Sequence, residues 1–395
     1  MIEAGLRSLR WLRARSWWRP ASLGRVLILP AALLAQRIAF GLPDLVESAY
    51  SRSLYPLVAH TLAWANAWFP LSVAEAIALA VLTWLMWRLV SRCRGRVATE
   101  PTLRPWLQRA RAAAGRLALR TWIVAGWAFL AFLLLWGFNY ARPPLATRLG
   151  LGTPEIEAPE VLELAGRAVA AANLDHRQLG ISVDAASRLP MTLRELNAAI
   201  DARYQALRLP GDELGNLASP AKPLLSSTLF SYLGISGIYI PFTGEPSFNR
   251  LVPAVALPIT VAHEKAHQRG ITDEGEANLA AALACAGADD VYLRYAAHLY
   301  IGIVLVGAAS RYAPHEAAEI WASLDGGPAA DVDAIREFWD SYRSRATPLA
   351  AGINDAYLRS NRVPGGVQSY GRVVGLLVGL SRRGEVLASP AGRPW

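Results

Sequence analysis

The segment TVAHEKAHQRG at 260–270 has residue types and a spacing that suit metal chemistry. It contains His-Glu-x-x-His, and the whole chain has only six histidines. Residues four positions apart lie on the same face of a helix, so His263 and His267 can direct ring nitrogens at one zinc ion. Glu264 would lie beside that ion, where it can take a proton from a zinc-activated water. The expected chemistry is hydrolysis with Glu264 as the general base.

The ends of this helix predict where a third ligand comes from. Pro258 suits the first turn of a helix, and Gly270 suits the position just past its end. A chain that turns back after His267 can supply the third protein ligand that catalytic zinc usually takes. Three carboxylates follow closely: Asp273, Glu274 and Glu276.

The choice among the three carboxylates depends on the geometry of the next element. In the spacing HExxHxxGxxH the third ligand comes three residues after the glycine, which is Asp273 here. Alternatively, a second helix begins near Asp273 and presents Glu274 and Asn278 on one face at i and i+4. We favour Glu274 as the ligand, with Asp273 and then Glu276 as the alternatives.

Peptide hydrolysis also requires a donor that stabilises the oxyanion. A lone histidine on an apolar helix, such as His298, is more often a structural core residue than a catalytic one. Residues 230–242 are rich in glycine, aromatic and β-branched types, which predicts a strand or hairpin whose edge could pair with an extended peptide or be an ordinary sheet edge. The candidate oxyanion donors are Tyr239, Tyr357, Tyr370, His298 and His315.

Composition indicates a membrane protein. Hydrophobic residues make up 53% of the chain, charged residues make up 18%, and the mean hydropathy is positive. The net charge of +9 comes mainly from arginines, many of them at 1–25 and 92–120 between apolar runs. A nucleic-acid-binding protein would carry them on one face of a folded domain, so nucleic acid is not an expected partner. The positive-inside rule places both segments in the cytoplasm.

Three apolar runs predict membrane spans at about 26–43, 72–90 and 121–138. The first is interrupted by Gln36 and Arg37, and it also suits the core of a signal peptide. Buried core helices of a soluble protein are the alternative interpretation of all three runs. With three spans and cytoplasmic arginines, the chain after about residue 140 lies outside the membrane.

These observations predict a mainly α fold. An amino-terminal bundle of about three transmembrane helices (residues 1–142) precedes a mostly helical, zincin-like extracytoplasmic domain with a small β element (residues 143–395). Helices are expected at 155–172, at 191–207 and almost throughout from Pro258 onward. Cys93 and Cys285 would face different compartments, so no disulfide is expected.

Three segments resemble an uncharacterised family of bacterial membrane proteins, the domain of unknown function 3810. That family combines an HExxHQRG motif, an E-x-E-A-N helix and spans that end in a W-G-x-N-Y-like sequence, here residues 136–140. The resemblance implies a zinc metallopeptidase in the bacterial cytoplasmic membrane that acts on a peptide or protein. The segments are SYLGISGIYIPFTGEPSFN at 231–249, LPITVAHEKAHQRGITDEGEANLAAALAC at 257–285 and INDAYLRSNRVPGGVQSYGRVVGLL at 353–377.

The second helix also resembles that of glutamate-type zinc peptidases. There the glutamate binds zinc and the residue four positions on steadies a ligand histidine, roles that would fall to Glu274 and Asn278. Lys265 and Arg269 depart from the pattern, which avoids charge at these places. The second hypothesis is a non-proteolytic envelope protein in which a structural or regulatory zinc site supports a binding domain. Both hypotheses share zinc and the lipid bilayer, and only the first requires Glu264.

Overall fold

The computed structural model describes residues 20–94, 103–151, 156–344, 346–363 and 372–384. Within these ranges the protein is mostly helical, as predicted, with one small β-sheet. A π-helical stretch at Val46–Leu54 and a 3-10 turn at Gly137–Ala141 interrupt the α-helices of the amino-terminal part. Those α-helices are α1 (Pro20–Ala39), α2 (Pro43–Leu45), α3 (Tyr55–Ala67), α4 (Val73–Arg94) and α5 (Leu103–Leu135).

The rest of the described chain forms a helical domain around the sheet. Its elements are α6 (Leu145–Arg148), α7 (Ala158–Leu179), α8 (Leu193–Leu207), β1 (Lys222–Pro223), α9 (Ser227–Leu233), β2 (Gly237–Ile240), β3 (Glu245–Phe248), a 3-10 turn (Ala254–Ala256), α10 (Leu257–Gln268), α11 (Glu274–Ala286), α12 (Val291–Ala309), α13 (Pro314–Ala322), α14 (Gly326–Ser341), α15 (Ala346–Ser360) and α16 (Val373–Arg382).

Three of the described helices are long and apolar enough to cross a membrane, which is compatible with a membrane protein. Two of them, Val73–Ser91 and Ala110–Leu135, coincide with the predicted runs at 72–90 and 121–138, although the second begins earlier and ends sooner. The third, Val291–Ala309, is α12, and 56% of its apolar window is buried inside the protein. Packing within the domain accounts for its composition, because a helix that is apolar all round suits a protein core.

The first predicted span, at 26–43, differs from the structure at its carboxyl end. Helix α1 stops at Ala39, and a bend of 100° separates Gly24–Ala39 from Pro43–Ala67. Pro43 disfavours helical geometry in the residue before it, which explains the break. The two parts are long and apolar enough for a membrane span only when they are taken together.

Helices α1 and α5 run parallel to each other. The indole nitrogen of Trp122 donates to the carbonyl of Val26 at 2.9 Å, and one turn further along Gly126 lies against Leu29. A methyl group at Gly126 would come within 3.0 Å of the Leu29 amide nitrogen, so the glycine allows the two backbones to approach closely. This is the arrangement required of two spans that cross in the same direction.

The sheet has the strand order β1-β3-β2, with β1 parallel and β2 antiparallel to β3. The predicted small β element is therefore present, and β2 is an edge strand. The strand predicted at 230–242 is wrong in its first part, where α9 continues to Leu233. The carboxylate of Glu75 accepts the amides of Leu225 and Ser226 at 2.8 and 2.9 Å, and Gly234 ends the helix in a left-handed conformation (φ 74°).

Helix α11 lies at the centre of the domain, and every residue of it is buried. Its many alanines let α8, α10 and α12 pack closely around it. The carboxyl-terminal apolar run at 373–380 is short for a membrane span and could equally pack in the domain. It forms most of α16 and packs in the domain core, where Val373 and Leu377 are fully buried.

Candidate metal centre

Helix α10 holds both histidines of the motif. Pro258 lies in its first turn, and Gly270 follows its end with φ 76°, as the sequence predicted. The rings of His263 and His267 lie on one face, with centroids 4.6 Å apart. A side chain at Gly270 would meet the Asn139 amide at 3.0 Å, so the turn after the helix needs a glycine for both its conformation and its packing.

The start of α11 brings a carboxylate to the histidines. Glu274 is the first residue of the helix, and its Oε2 lies 3.2 Å from His263 Nε2 and 3.5 Å from His267 Nε2. Among the residues that the structure describes, these three side chains form the group of potential metal ligands, with ligand atoms within 4.8 Å of one another.

Both histidines use their other ring nitrogen to hold their orientation. His263 Nδ1 lies 2.8 Å from Asn278 Oδ1, and His267 Nδ1 lies 2.7 Å from the carbonyl of Ile271. Both oxygens are acceptors, so each ring donates from Nδ1 and turns its Nε2 towards the common centre. Ligand histidines in zinc proteins are oriented by hydrogen bonds of this kind.

The spacing of the three donor atoms fits zinc. With bonds of about 2.05 Å in tetrahedral geometry, two ligand atoms of one zinc ion lie about 3.3 Å apart. The two Nε2 atoms are 3.0 Å apart, and each lies 3.2 or 3.5 Å from the Glu274 oxygen. Two imidazoles and one carboxylate also leave a fourth position open, as catalytic zinc sites do.

Glu264 is buried beside this group. Its side chain lies so close to β2 that a methyl group at Gly237 would be 2.6 Å from Glu264 Oε1. Its Oε2 is buried without a hydrogen-bond partner in the structure. Burial raises the pKa of Glu264 to about 7, although the charges of His263 and His267 act in the opposite direction. A buried carboxyl with a perturbed pKa next to potential ligands is typical of a functional site.

The electrostatics of the group favour positive charge at its centre. Burial lowers the pKa of His267, but the charge of Glu274 and its hydrogen bond outweigh burial and raise that pKa to about 9. Burial likewise raises the pKa of Glu274, and the two histidines outweigh it, so the pKa lies well below its usual range. A buried centre that favours positive charge in this way is suited to holding a cation.

The two alternative carboxylates have other partners. Asp273 caps α11 by accepting the amide of Glu276 at 3.0 Å, and it pairs with Arg372. The Glu276 carboxylate accepts the amide of Ala146 at 3.0 Å, which holds α6 against α11. Neither side chain belongs to the converging group.

The candidate oxyanion donors lie in different places. Tyr357 is near Glu274, whose charge adds to burial in raising the Tyr357 pKa to about 12. Tyr239 lies on β2, and its hydroxyl is 3.5 Å from that of Tyr55. His298 Nδ1 lies 2.7 Å from Asp175 on α7, a structural contact, and His315 is exposed on α13. Tyr370 lies outside the described residues.

The sequence did not reveal that the amino-terminal part forms a wall of the site. Trp136 Nε1 donates to the carbonyl of His267 at 2.8 Å, and the Tyr55 hydroxyl donates to that of Gln268 at 2.7 Å. Both carbonyls lie at the end of α10, beyond the reach of the helix's own amides, and that of His267 also accepts the amide of Gly270 at 2.9 Å. The W-G-x-N-Y sequence could have indicated a role for Trp136 at the site. No sequence feature indicated one for Tyr55.

The structure explains the two charged residues that depart from the peptidase pattern. Lys265 is fully buried and donates to Asp201 Oδ1 at 2.7 Å and to the Ser219 carbonyl at 2.6 Å. The Arg269 guanidinium lies 4.2 Å from the Tyr204 ring and donates to the Leu217 carbonyl at 2.9 Å. Both side chains therefore hold α10 against the α8 side of the domain and point away from the three converging side chains.

Replacing Lys265 by methionine is expected to destabilise the domain by about 3 kcal/mol, because it leaves the Asp201 carboxylate with only the more distant Arg269 guanidinium, at 3.5 Å, as a buried cationic partner. Thermal unfolding of the full chain in detergent measures the loss. The matched control is Lys265→Met combined with Asp201→Leu, which removes both charges and should recover most of the stability. An unchanged melting temperature in the single variant would show that this ion pair does not hold α10.

The three acidic residues near the start of α11 can be compared directly as zinc ligands. Glu274→Ala is expected to weaken zinc binding more than Asp273→Ala or Glu276→Ala, because only Glu274 faces both Nε2 atoms. Zinc affinity measured by competition with a chromophoric chelator gives the ranking. A larger effect at position 273 or 276 would contradict the assignment of Glu274 as the third ligand.

Comparison with known proteins agrees with the resemblance noted in the sequence. No curated protein and no solved structure matches the chain. A family model described as "Protein of unknown function (DUF3810)" matches residues 50–378, a range that contains the two histidines, α11 and Trp136. Because the match covers most of the chain, the protein is a member of the DUF3810 family.

Proposed function

We propose that the protein is a membrane-anchored, zinc-dependent metallopeptidase. The observation that carries the proposal is the convergence of His263, His267 and Glu274 beside the buried carboxyl of Glu264. A purely structural zinc site has four protein ligands and does not need a further buried carboxylate beside them, whereas Glu264 is such a carboxylate and its Oε2 has no hydrogen-bond partner. For this reason we favour the enzyme over a binding protein stabilised by zinc.

The side chains have separate roles in this proposal. His263, His267 and Glu274 would hold the zinc ion, and Asn278 would keep the His263 ring in its orientation. Zinc, when bound, supplies a Lewis acid that lowers the pKa of water and polarises the substrate carbonyl. Glu264 accepts a proton from the attacking water and returns it to the leaving amine.

The edge strand β2 supports a peptide as the substrate. It lies at one side of the sheet, with β3 on its other side, and Gly237 at its start is in close contact with Glu264. The Tyr239 amide on this edge hydrogen-bonds the Glu264 carboxylate, so an extended peptide that paired with the outer edge of β2 would lie directly beside Glu264. The tight contact at Gly237 lets the strand and the carboxyl approach each other without a side chain between them.

We also propose that the catalytic domain lies on the outer side of the cytoplasmic membrane. The support comes from the arginine-rich segments at 1–25 and 92–120, which favour the cytoplasm, and from the parallel course of α1 and α5. In this topology α1 and α5 cross the membrane outwards and α4 crosses it inwards. The chain is therefore on the outer side after α5.

The function is tested by removing and restoring the metal. Full-length protein in detergent is expected to cleave members of a peptide library, to lose this activity on dialysis against a zinc chelator and to regain it when one equivalent of zinc is added. Mass spectrometry of the products identifies the bonds that are cut. Zinc-loaded protein that cuts no peptide in the library, or cleavage that persists after all metal is removed, would contradict the proposal.

A further inference from the structure

The end of the apolar helix α5 is attached directly to the candidate metal centre. Trp136 follows the last residue of α5, and its indole donates to the backbone carbonyl of His267 at 2.8 Å. The same indole packs edge-on against the His267 ring, with centroids 6.3 Å apart. With α5 as a membrane span, only the Trp136 side chain separates the end of that span from His267.

A second attachment joins the domain to the ends of α1 and α5. Asn361, just after α15, accepts a hydrogen bond from Gln36 in the last turn of α1 at 3.2 Å. Next to it, the Arg362 guanidinium lies 4.5 Å from the Phe40 ring. On α15 itself, the Tyr357 ring packs edge-on against Phe132 of α5 at 6.3 Å. The carboxyl end of α15 is therefore level with the last turns of both apolar helices.

The start of α4 is fixed to the sheet in a similar way. The Glu245 carboxylate of β3 accepts the amides of Val73 and Ala74 at 2.9 Å each, and it pairs with buried Lys222 at 2.7 Å. Anions at a helix start are favoured by the unpaired amides there. In return, Glu75 of α4 accepts amides at the start of α9. The domain is thus attached at the ends of three apolar helices, and its depth relative to them is fixed.

The parts of the domain nearest these attachments expose large apolar side chains. On α15, Leu349 and Ile353 lie on one face with Tyr357, and they are 66% and 64% exposed. Around α9 and the β2–β3 turn, Leu225, Leu229 and Phe242 are each more than half exposed. We call these five residues (Leu225, Leu229, Phe242, Leu349 and Ile353) the apolar rim. Exposed apolar groups of this extent mark surfaces that are covered in the native environment.

The apolar rim is continuous with the exposed aromatic residues at the end of α3. Asn66 of α3 donates to the carbonyl of Thr243, the residue after Phe242. Beside this contact Trp64, Trp68 and Phe69 are 68%, 73% and 55% exposed. Tryptophan and other aromatic residues concentrate where a membrane meets water. The apolar rim extends this group of exposed aromatic residues from the helices onto the domain. The lipid bilayer around α4 is therefore the partner that suits the rim.

We infer that the apolar rim is seated at the boundary between headgroups and acyl chains of the outer leaflet and holds the metal centre at the membrane surface. A consequence for the substrate follows, and this part of the inference rests on the proposed peptidase function. The substrates are polypeptides attached to the membrane, and they are cut at bonds close to the bilayer. A bond far from the surface in a rigid segment cannot reach Glu264, because the domain is fixed at the ends of three helices and cannot rise to meet it.

The position of the apolar rim can be measured without any enzyme assay. Spin labels at Phe242→Cys and Ile353→Cys, in full-length protein with Cys93→Ser, are examined by power saturation in phospholipid vesicles. Cys285 is buried and does not interfere. We expect the labels to collide more with oxygen than with a water-soluble nickel chelate. A label at His315→Cys, whose native side chain is 85% exposed on α13, is the matched control and should show the reverse.

Two results would overturn the seating of the rim. Labels at positions 242 and 353 that respond like the control would show that the rim lies in water. Labels shielded from both reagents would show that protein, either a second copy or a partner, covers the rim instead of lipid.

The substrate class is tested with two anchored peptides in the same vesicles. Both carry one membrane-spanning anchor and one cleavable sequence, and in the second a rigid helical spacer of about 20 residues moves that sequence about 30 Å outward. Because anchoring equalises the concentration at the membrane, we expect cleavage of the near peptide to exceed that of the far one by roughly tenfold or more.

Equal cleavage of the two peptides would overturn the restriction to membrane-proximal bonds and leave the peptidase proposal standing. Cleavage of neither peptide by zinc-loaded protein would count against the peptidase proposal itself, and the spin labels would then decide the seating of the rim alone.

Discussion

Glutamine in place of Glu264 is expected to reduce peptide hydrolysis by about 10²- to 10⁴-fold, the usual contribution of a positioned general base. Glutamine has nearly the same shape, so it fits the narrow space against Gly237, but its amide cannot take a proton from water. Because Glu264 is not one of the three converging ligands, zinc content should stay at the wild-type value. Initial rates and metal content measured on the same preparation test both expectations.

The matched control for this variant is Glu276→Gln. Glu276 is also buried near the start of α11, but its carboxylate accepts the amide of Ala146, a bond that glutamine can also accept. We expect Glu276→Gln to retain most of the activity. Full activity in Glu264→Gln would place the general base elsewhere, and loss of zinc in that variant would mean that Glu264 supports the metal.

Removing either histidine of α10 is expected to abolish zinc retention through purification. His263→Ala and His267→Ala each delete one of three protein ligands, whereas Asn278→Ala deletes only the partner that orients His263. Loss of such an outer partner typically lowers metal affinity about 10- to 100-fold, so each histidine variant should lose more than Asn278→Ala does. Chelator competition at fixed pH gives the three affinities.

His298→Ala is the control for these variants. His298 is bound to Asp175 on α7 and takes no part in the converging group, so its removal should leave zinc affinity unchanged. If His298→Ala lost zinc as completely as His263→Ala, the measured losses would reflect unfolding of the domain. If His263→Ala kept its zinc, the proposed ligand set would be wrong.

The local geometry of the centre could be predicted from the sequence because it depends on short-range rules. The histidine spacing fixes one face of α10, and Gly270 marks the turn after it. The preference for Glu274 over Asp273 combined a helix start near Asp273 with the resemblance to glutamate-type zinc peptidases, and the structure starts α11 at Glu274 with Asp273 as its cap. Periodicity and capping contain this information without any tertiary contact.

The features that the sequence missed depend on contacts between distant parts of the chain. The first part of the predicted strand or hairpin is helix α9, and Glu75, about 150 residues earlier, accepts the amides of Leu225 and Ser226 just before that helix. The sequence could not explain the charge of Lys265 within the motif, because its partner Asp201 is on another helix. Trp136 could not be assigned to the site because its contact with His267 joins residues separated by 131 positions. Propensity and spacing carry no information about such pairs.

X-ray absorption at the zinc edge of the full-length protein tests the central claim most directly. We predict one zinc ion per chain, with two imidazole nitrogens and carboxylate or water oxygens at about 2.0–2.2 Å. In His267→Ala the imidazole contribution should decrease along with the zinc content. Absence of stoichiometric zinc in the wild-type protein, or sulfur ligands at about 2.3 Å, would contradict a zinc centre built from His263, His267 and Glu274.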